Sequence, residues 1–398
     1  MWLAYQGRIT TPELIVLLGS LISLGALTQD IMLPALALMN QDLGAGGVNN
    51  AQYVITASLL GLGVGQLFYG PVSDSWGRRR TLFLGLGIYV LGSVICACTD
   101  SFGVLLAGRV LQGLGAASPR VLSISIARDL YEGRAMAQIV SYIMSIQMMT
   151  PVFAPALGQY LAIEFGWAAI FLFLIALAGI CGLWFGIRMP ETLPADLRRV
   201  FSWRKLGKDC LEVFSNSESA WHAVALGLSM GSVIGFIISS PQIFADVYGI
   251  TTLFPLYFGM LCLALAFGSL INAWLVTLVS LNRLCQSLML TISAMSLVGL
   301  SASHLFGGSL SSSMFLMWSA LTFLCSGALF GNLNTIAMKP LGHLAGAGAA
   351  VVGALSTFIY VGFGTLVGQA YDGTVLPVVS GFLVSGSLAF WIVSRSER

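Results

Sequence analysis

Charged residues are scarce in this sequence. Lysine, arginine, aspartate and glutamate make up only 9% of the 398 residues, whereas a water-soluble domain carries about 25%. This scarcity excludes an ordinary soluble enzyme, and it also excludes a disordered chain, which stays solvated through high charge and few apolar residues. The net charge of +2 provides no concentrated basic surface for phosphates, so nucleic acid is not an expected partner.

Signatures of catalytic and metal sites are missing as well. The seven cysteines are scattered mainly through apolar segments, and the three histidines lie far apart in the sequence. Neither set has metal-ligand spacing or a nucleophile arrangement, and no nucleotide-binding loop is present. We therefore expect no cofactor, no metal and no enzymatic activity.

Long apolar segments dominate the chain, which is 57% hydrophobic. A membrane-spanning helix needs about 20 mostly apolar residues. Twelve segments qualify, near residues 14–39, 53–72, 82–98, 102–126, 136–162, 168–188, 221–243, 254–279, 284–303, 313–338, 345–370 and 375–393. The pattern predicts an all-α polytopic membrane protein with twelve transmembrane helices, whose surroundings are the lipid bilayer.

The hydrophilic residues 190–220 separate the first six segments from the last six. We predict an N-terminal six-helix bundle at 1–189, a cytoplasmic linker at 190–220 and a C-terminal six-helix bundle at 221–398. Two such repeats are typical of transporters that work by alternating access, with a pathway between the halves. One chain would then supply both halves, and we expect a monomer.

The distribution of lysine and arginine sets the orientation. If there are twelve crossings, 16 of the 18 cations lie on one side, and loops on the other side contain acids such as Asp100, Glu164 and Asp372. The positive-inside rule then places both termini in the cytoplasm. The chain is expected to cross the membrane many times.

The two remaining cations, Arg109 and Arg120, lie within the fourth segment. They are separated by only about 20° around a helix, and Gln112 lies beside the same face. A charge at mid-bilayer costs roughly 2.5 kcal/mol or more, so it is expected to face a partner or a wet cavity. We assign Arg109 to function, whereas Arg120 lies closer to the cytoplasm and either functions or extends to the membrane surface.

Asp30 is the only acid well inside an apolar segment. By helix rise, Asp30 and Arg109 both fall in the outer half of a membrane core of about 30 Å. Burial favours the protonated form of a carboxyl group, and a nearby arginine favours the charged form. We assign Asp30 to function as the candidate partner of Arg109, with Gln29 as a neighbour. The alternative is that Asp30 is only a polar residue at a helix end before Pro34.

Residues 70–81 read GPVSDSWGRRRT and resemble the signature loop of the major facilitator superfamily. The resemblance implies that Asp74 acts in a latch that holds one access state, supported by Gly70, Gly77 and Arg78. Three more segments, DIMLPAL at 30–36, RVLQGLG at 109–115 and PVFAPALG at 151–158, narrow the resemblance to the bicyclomycin-resistance (Bcr/CflA) group of drug:proton antiporters.

That resemblance implies that Pro151, Pro155 and Gly158 form the antiporter-motif hinge of the fifth helix. Each proline also removes a backbone donor, which by itself predicts a bend. Tyr142, Met148 and Met149 lie nearby, and thioethers repack easily around varied apolar ligands. The candidate substrate cavity therefore consists of six residues, although core packing remains an alternative for each: Gln29, Gln112, Arg120, Tyr142, Met148 and Met149.

The leading hypothesis is a proton-coupled efflux transporter of small amphipathic substrates, in which Asp30 carries the proton and Arg109 modulates it. The resemblance also implies a bacterial cell inner membrane as its location. One alternative is an exporter or importer of a specific endogenous metabolite or siderophore. A transporter-like sensor or membrane enzyme is less favoured, because a sensor is expected to have a sizeable soluble output domain and an enzyme a clustered catalytic site.

The predicted orientation can be tested with reporter fusions or cysteine accessibility. Probes at Asp100, Glu164 and Asp372 should report the outside, and probes at Trp203 and Arg398 should report the cytoplasm. One probe on the opposite side would contradict the twelve-helix arrangement.

Overall fold

The computed structural model describes residues 9–305 and 310–396, which are mostly helical. The orientation signals Arg8 and Arg398 lie outside the described residues. The α-helices, in chain order, are α1 Thr11–Asp30, α2 Leu36–Asp42, α3 Tyr53–Trp76, α4 Arg78–Ala97, α5 Phe102–Leu130, α6 Gly133–Phe165, α7 Ala168–Arg188, α8 Trp203–Ser215, α9 Ser217–Gln242, α10 Phe254–Leu278, α11 Leu281–Leu305, α12 Ser312–Met338, α13 Ala345–Gln369 and α14 Leu376–Ser396.

Twelve of these helices contain at least 20 residues, enough to cross a membrane core. Eleven helices in the described residues are both long and apolar enough to span a bilayer. The twelfth is α5, which is longer than most but carries Arg109 and Arg120. The all-α polytopic fold predicted from the sequence is confirmed.

The first apolar segment is not one continuous helix, contrary to the expectation for residues 14–39. Helix α1 ends at Asp30, a 3₁₀ turn follows at Leu33–Ala35, and α2 begins at Leu36. The cause is Pro34, which has no N–H for the Asp30 carbonyl and whose ring would clash with that carbonyl in a regular helix. Asp30 is thus placed at a helix break within the membrane segment.

The chain forms two compact units. One contains the residues up to Gly46 together with Ala57–Leu206, and the other contains Gly47–Thr56 together with the chain from Gly207 onward. Residues 47–56 join the second unit through side-chain amides, since Asn49 Nδ2 donates to the Gln369 carbonyl at 3.0 Å and Gln52 Nε2 donates to Gln242 Oε1 at 2.6 Å. The domain boundaries at 189 and 220 stay a prediction.

Glycines allow particular helix pairs to approach closely. In the first unit, a Cβ on Gly61 of α3 would overlap the Val110 carbonyl of α5. In the second unit, a Cβ on Gly327 of α12 would overlap the Leu265 carbonyl of α10, while the space around Gly331 is open. The sequence pattern predicts close packing at both Gly327 and Gly331. The structure shows close packing at Gly327 but not at Gly331.

This difference predicts opposite effects for two substitutions on the same helix. Gly327→Ala should lower the stability of the protein by about 1–3 kcal/mol, because α10 and α12 must move apart. Gly331→Ala is the matched control and should be neutral or stabilising by up to about 1 kcal/mol, because alanine favours helix. Thermal unfolding of the purified proteins in detergent measures both, and equal melting temperatures would contradict the proposed packing.

Candidate functional site

Arg109 is fully buried in the first unit, where polar groups and an aromatic ring surround its guanidinium. Nη1 donates to Gln112 Oε1 at 2.6 Å, and Nη2 donates to the Thr28 carbonyl at 3.1 Å and to Gln29 Oε1 at 3.4 Å. The Phe171 ring centroid lies 6.0 Å from the guanidinium carbon, close enough for a cation–π contact. These groups replace part of the hydration that the cation would have in water.

The same amides continue the polar contacts into neighbouring helices. Gln112 Nε2 donates to Ser93 Oγ of α4 at 2.8 Å, and Gln29 Nε2 donates to Ser58 Oγ of α3 at 3.0 Å. Four helices, α1, α3, α4 and α5, are therefore connected through side chains buried in the membrane segment. We call Gln29, Ser58, Ser93, Arg109 and Gln112 the buried polar network.

Tyr89 of α4 adds a second connection to α1. The Thr28 hydroxyl donates to the Leu24 carbonyl at 2.6 Å, so at its 2.7 Å contact with Tyr89 it accepts the phenol proton. Five residues around Arg109 were not predicted from the sequence: Thr28, Ser58, Tyr89, Ser93 and Phe171. The only available signal was polar side chains within apolar segments, which also occur as simple packing residues.

The structure brings Gln29, Arg109 and Gln112 into contact, whereas Asp30 is not bonded to Arg109, and proton coupling by these two residues stays a prediction. No ion pair between these two side chains is present in the described residues. Successive helix residues point about 100° apart, so the turn of α1 that directs Gln29 toward Arg109 directs Asp30 elsewhere. Arg109 contacts the residues just before Asp30 instead of its carboxylate.

Asp30 is only 6% exposed. Within residues 9–305 and 310–396, no hydrogen bond or ion pair holds its carboxylate. The backbone beside it is tightly confined, because a Cβ on Gly158 of α6 would overlap the Ile31 carbonyl oxygen. The carboxylate thus lies at a helix break whose backbone is packed against the antiporter-like segment of α6.

The two prolines of that segment, Pro151 and Pro155, lie within the unbroken helix α6, and Pro155 is buried. A hinge at these positions stays a prediction. The other candidate cavity residues lie outside the buried polar network. Tyr142, Met148 and Met149 are exposed on α6. Arg120 is half-buried, and among the described side chains no hydrogen bond or ion pair joins it to the network.

The loop between α3 and α4 holds an ion-pair cluster centred on Arg78. Its Nη1 donates to Asp74 Oδ1 at 2.6 Å and to Ser73 Oγ at 2.6 Å, and its Nε donates to Asp129 Oδ2 at 2.9 Å. Ser73 in turn donates to the Gly70 carbonyl at 2.8 Å. Gly70, Asp74 and Arg78 are therefore joined, as the signature loop led us to expect, and the structure adds Asp129 from the end of α5.

Gly77 has a second reason to be glycine besides its φ of 95°. The Glu191 carboxylate accepts from the backbone N–H of Arg78 at 2.8 Å and of Arg79 at 3.2 Å, and a Cβ on Gly77 would collide with it. Glu191 thus serves as a charged cap for the N-terminus of α4, where a negative group is favourable. Sequence reasoning missed it because it lies 113 residues away along the chain.

Arg79 binds backbone carbonyl groups at the end of α7. Its guanidinium donates to the Gly186 carbonyl at 2.7 Å and to the Met189 carbonyl at 2.5 Å, which satisfies acceptors left free at a helix C-terminus. The three consecutive arginines therefore differ. Arg78 forms ion pairs and Arg79 caps a helix, while Arg80 is exposed.

Comparison with known proteins identifies related chains. The family model for the Major Facilitator Superfamily matches residues 18–366. The chain is 31% identical over 389 residues to the uncharacterized MFS-type transporter YdgK of Bacillus subtilis (strain 168). The aligned residues cover 96% of this chain and 95% of that protein. It is 30% identical over 361 residues to Multidrug resistance protein D of Escherichia coli (strain K12), covering 89% and 87%.

Two further similarities bear on the group and the fold. The bicyclomycin resistance protein homolog of Haemophilus influenzae (strain ATCC 51907 / DSM 11121 / KW20 / Rd) is 29% identical over 275 residues, covering 68% of each chain. The crystal structure of a D-xylose-proton symporter superposes with a TM-score of 0.72 over 97% of each chain at 15% identity. At that identity the similarity concerns the fold alone.

The cluster around Arg78 predicts different results for its two acids. The side chain of Asp129 is 17% exposed and that of Asp74 is 47% exposed. Asp129 also accepts from Thr192 Oγ1 at 3.0 Å. Asp129→Asn should therefore lower stability by about 1–3 kcal/mol, whereas Asp74→Asn should cost at most about 1 kcal/mol while still impairing transport.

Thermal unfolding and flux in proteoliposomes separate the two effects. Glu132→Gln removes an exposed acid near the same helix end and serves as the control, with both properties unchanged. Full flux in Asp74→Asn would mean that this loop only anchors the topology. If Asp129→Asn were as stable as wild type, the ion pair of Asp129 with Arg78 would contribute nothing to stability.

Proposed function

Because this chain belongs to the major facilitator superfamily, we propose that it exports small amphipathic molecules across a bacterial inner membrane in exchange for protons. Family membership makes it a multi-pass membrane transporter and not an enzyme. The resemblance to the bicyclomycin-resistance group is confirmed by its similarity to a bicyclomycin resistance protein homolog and to a multidrug resistance protein. Drug efflux is the function that these relatives support.

Proton coupling rests on one observation, the position of Asp30. A carboxyl group that is 6% exposed has lost most of its hydration, and burial of this kind favours the protonated form. No ion pair among the described residues has to break before the group takes up or releases a proton. Acids inside membrane segments are expensive to keep and are found at proton relays and substrate pathways.

Arg109 is proposed to modulate this carboxylate through α1. It is bonded to the Thr28 carbonyl and to Gln29, the two residues that precede Asp30. A movement that brings the guanidinium nearer to Asp30 favours the charged carboxylate, and a movement that separates them favours proton uptake. Two access states with different proton affinity are what a gradient needs to drive a cycle.

The other predicted site residues have roles in the same proposed mechanism. The cluster of Asp74, Arg78 and Asp129 is proposed as the access-state latch. The hinge at Pro151, Pro155 and Gly158 lies where α6 packs on the break after Asp30, so bending of α6 would be felt at the carboxylate. Tyr142, Met148 and Met149 offer an adaptable apolar surface on the same helix, which suits substrates of varied shape.

Asp30→Asn tests the proposal directly. In proteoliposomes with an imposed pH gradient, this variant should lose uphill flux by at least about tenfold, because an amide cannot carry the proton. It should retain substrate binding, which becomes insensitive to pH. Asp100→Asn removes an exposed acid outside the helices and should behave as wild type.

Arg109→Ala should shift the pH dependence of flux as well as lower its rate.

Uphill flux with normal pH dependence in Asp30→Asn would locate the coupling group elsewhere or show that transport is not driven by protons. If the wild-type protein moved no drug-like compound but moved one metabolite, a transporter of that specific metabolite would be favoured instead.

A further inference from the structure

Helix α8 in the linker has an apolar face that the protein leaves open. At about 100° per residue, Trp203, Phe214 and Leu211 fall within an arc of about 80°, and Arg204 and Lys208 follow directly along its edge. The apolar side chains are 67%, 55% and 66% exposed, respectively. Large exposed apolar residues grouped on one face indicate a surface that binds something.

The other side of α8 is already occupied by the protein. Asp209 and Val213 are both buried, and they lie about 120–160° away from the centre of the exposed apolar arc. The helix therefore packs through one face and presents the arc of Trp203, Leu211 and Phe214, edged by the two cations, to its surroundings. We call this arc the open face of α8.

Both ends of α8 are held at the level of the membrane. A single residue, Asn216, separates its last residue from the spanning helix α9. At its start, the Trp203 ring lies edge-on to Phe68 with centroids 5.6 Å apart. Phe68 precedes the end of α3 at Trp76 by eight residues, or about 12 Å of helix, so Trp203 reaches the depth of a membrane-spanning segment.

The charges beside the open face match a negatively charged lipid surface. Arg199, Arg204 and Lys208 are exposed, as is Lys205 on the far side of the helix, and the distribution of cations in the sequence places this linker on the cytoplasmic side. Helices that lie in the membrane interface combine an apolar face with flanking lysine and arginine, and anionic lipids strengthen their binding. A water-soluble protein partner would not require the helix to be held at membrane depth.

We propose that the open face of α8 binds anionic phospholipids of the cytoplasmic leaflet. Trp203, Leu211 and Phe214 enter the boundary between headgroups and acyl chains, and Arg204 and Lys208 contact lipid phosphates. The proposal does not depend on the substrate or on proton coupling.

The test uses the full-length protein reconstituted in vesicles whose acyl chains carry bromine, which quenches tryptophan fluorescence on contact. Subtracting the signal of Trp203→Phe from that of wild type isolates Trp203 from the eight other tryptophans of the nine in the chain. Quenching of Trp203 should be several-fold stronger in phosphatidylcholine mixed with phosphatidylglycerol than in phosphatidylcholine alone. Raising salt to about 1 M, where the screening length is about 3 Å, should remove the difference.

Charge variants provide the second measurement, each compared with the same variant carrying Trp203→Phe. Combining Arg204→Gln, Lys205→Gln and Lys208→Gln should abolish the effect of phosphatidylglycerol. The control, Arg134→Gln with Arg283→Gln and Lys339→Gln, removes the same charge from exposed positions elsewhere and should leave it intact.

Two outcomes would overturn the proposal. Unquenched Trp203 in both kinds of vesicle would mean that the open face meets water or a water-soluble partner. Equal quenching in both, unaffected by salt or by the charge variants, would mean that the helix enters the bilayer without recognising anionic lipid. The salt series uses wild type and Trp203→Phe only, so it decides between these results even if the triple charge variant folds poorly.

Discussion

The burial of one arginine in a membrane segment constrains the first half of the molecule. A guanidinium cannot remain at this depth without polar groups around it, and Arg109 obtains them from Thr28, Gln29 and Gln112. Each amide is bonded onward to another helix, so α1, α3, α4 and α5 are tied together by the need to solvate a single charge. The glycine at position 61 lets α3 approach α5 closely enough for this arrangement.

Beside this tightly bonded region lies a carboxylate with few constraints of its own. Pro34 ends α1 at Asp30, and the packing of Gly158 against Ile31 fixes the backbone there. The side chain can therefore change its protonation without dismantling the surrounding polar contacts. In the proposed mechanism, Arg109 would act on Asp30 through Thr28 and Gln29, the two residues of α1 to which it is bonded.

The loop between α3 and α4 shows how far sequence reasoning reaches. The signature residues predict that Asp74 and Arg78 act together, and their contact is present. The sequence offered no route to Asp129 or Glu191, because Asp129 comes from the end of α5 and Glu191 from the residues that follow α7. Asp129 pairs with Arg78, and Glu191 accepts from the free N–H group at the start of α4.

The sequence alone determined the fold class, because twelve apolar segments of sufficient length allow little besides spanning helices. It also singled out Asp30 and Arg109 as candidate functional residues, since any charge in such a segment is costly. Only the tertiary structure decided the partners. A helix shows in its sequence which face a residue occupies, but the identity of the neighbouring helix depends on packing between segments far apart in the chain. For this reason only the structure shows that Arg109 is bonded to Gln29 and to the Thr28 carbonyl, and that Tyr89 contacts Thr28 from α4.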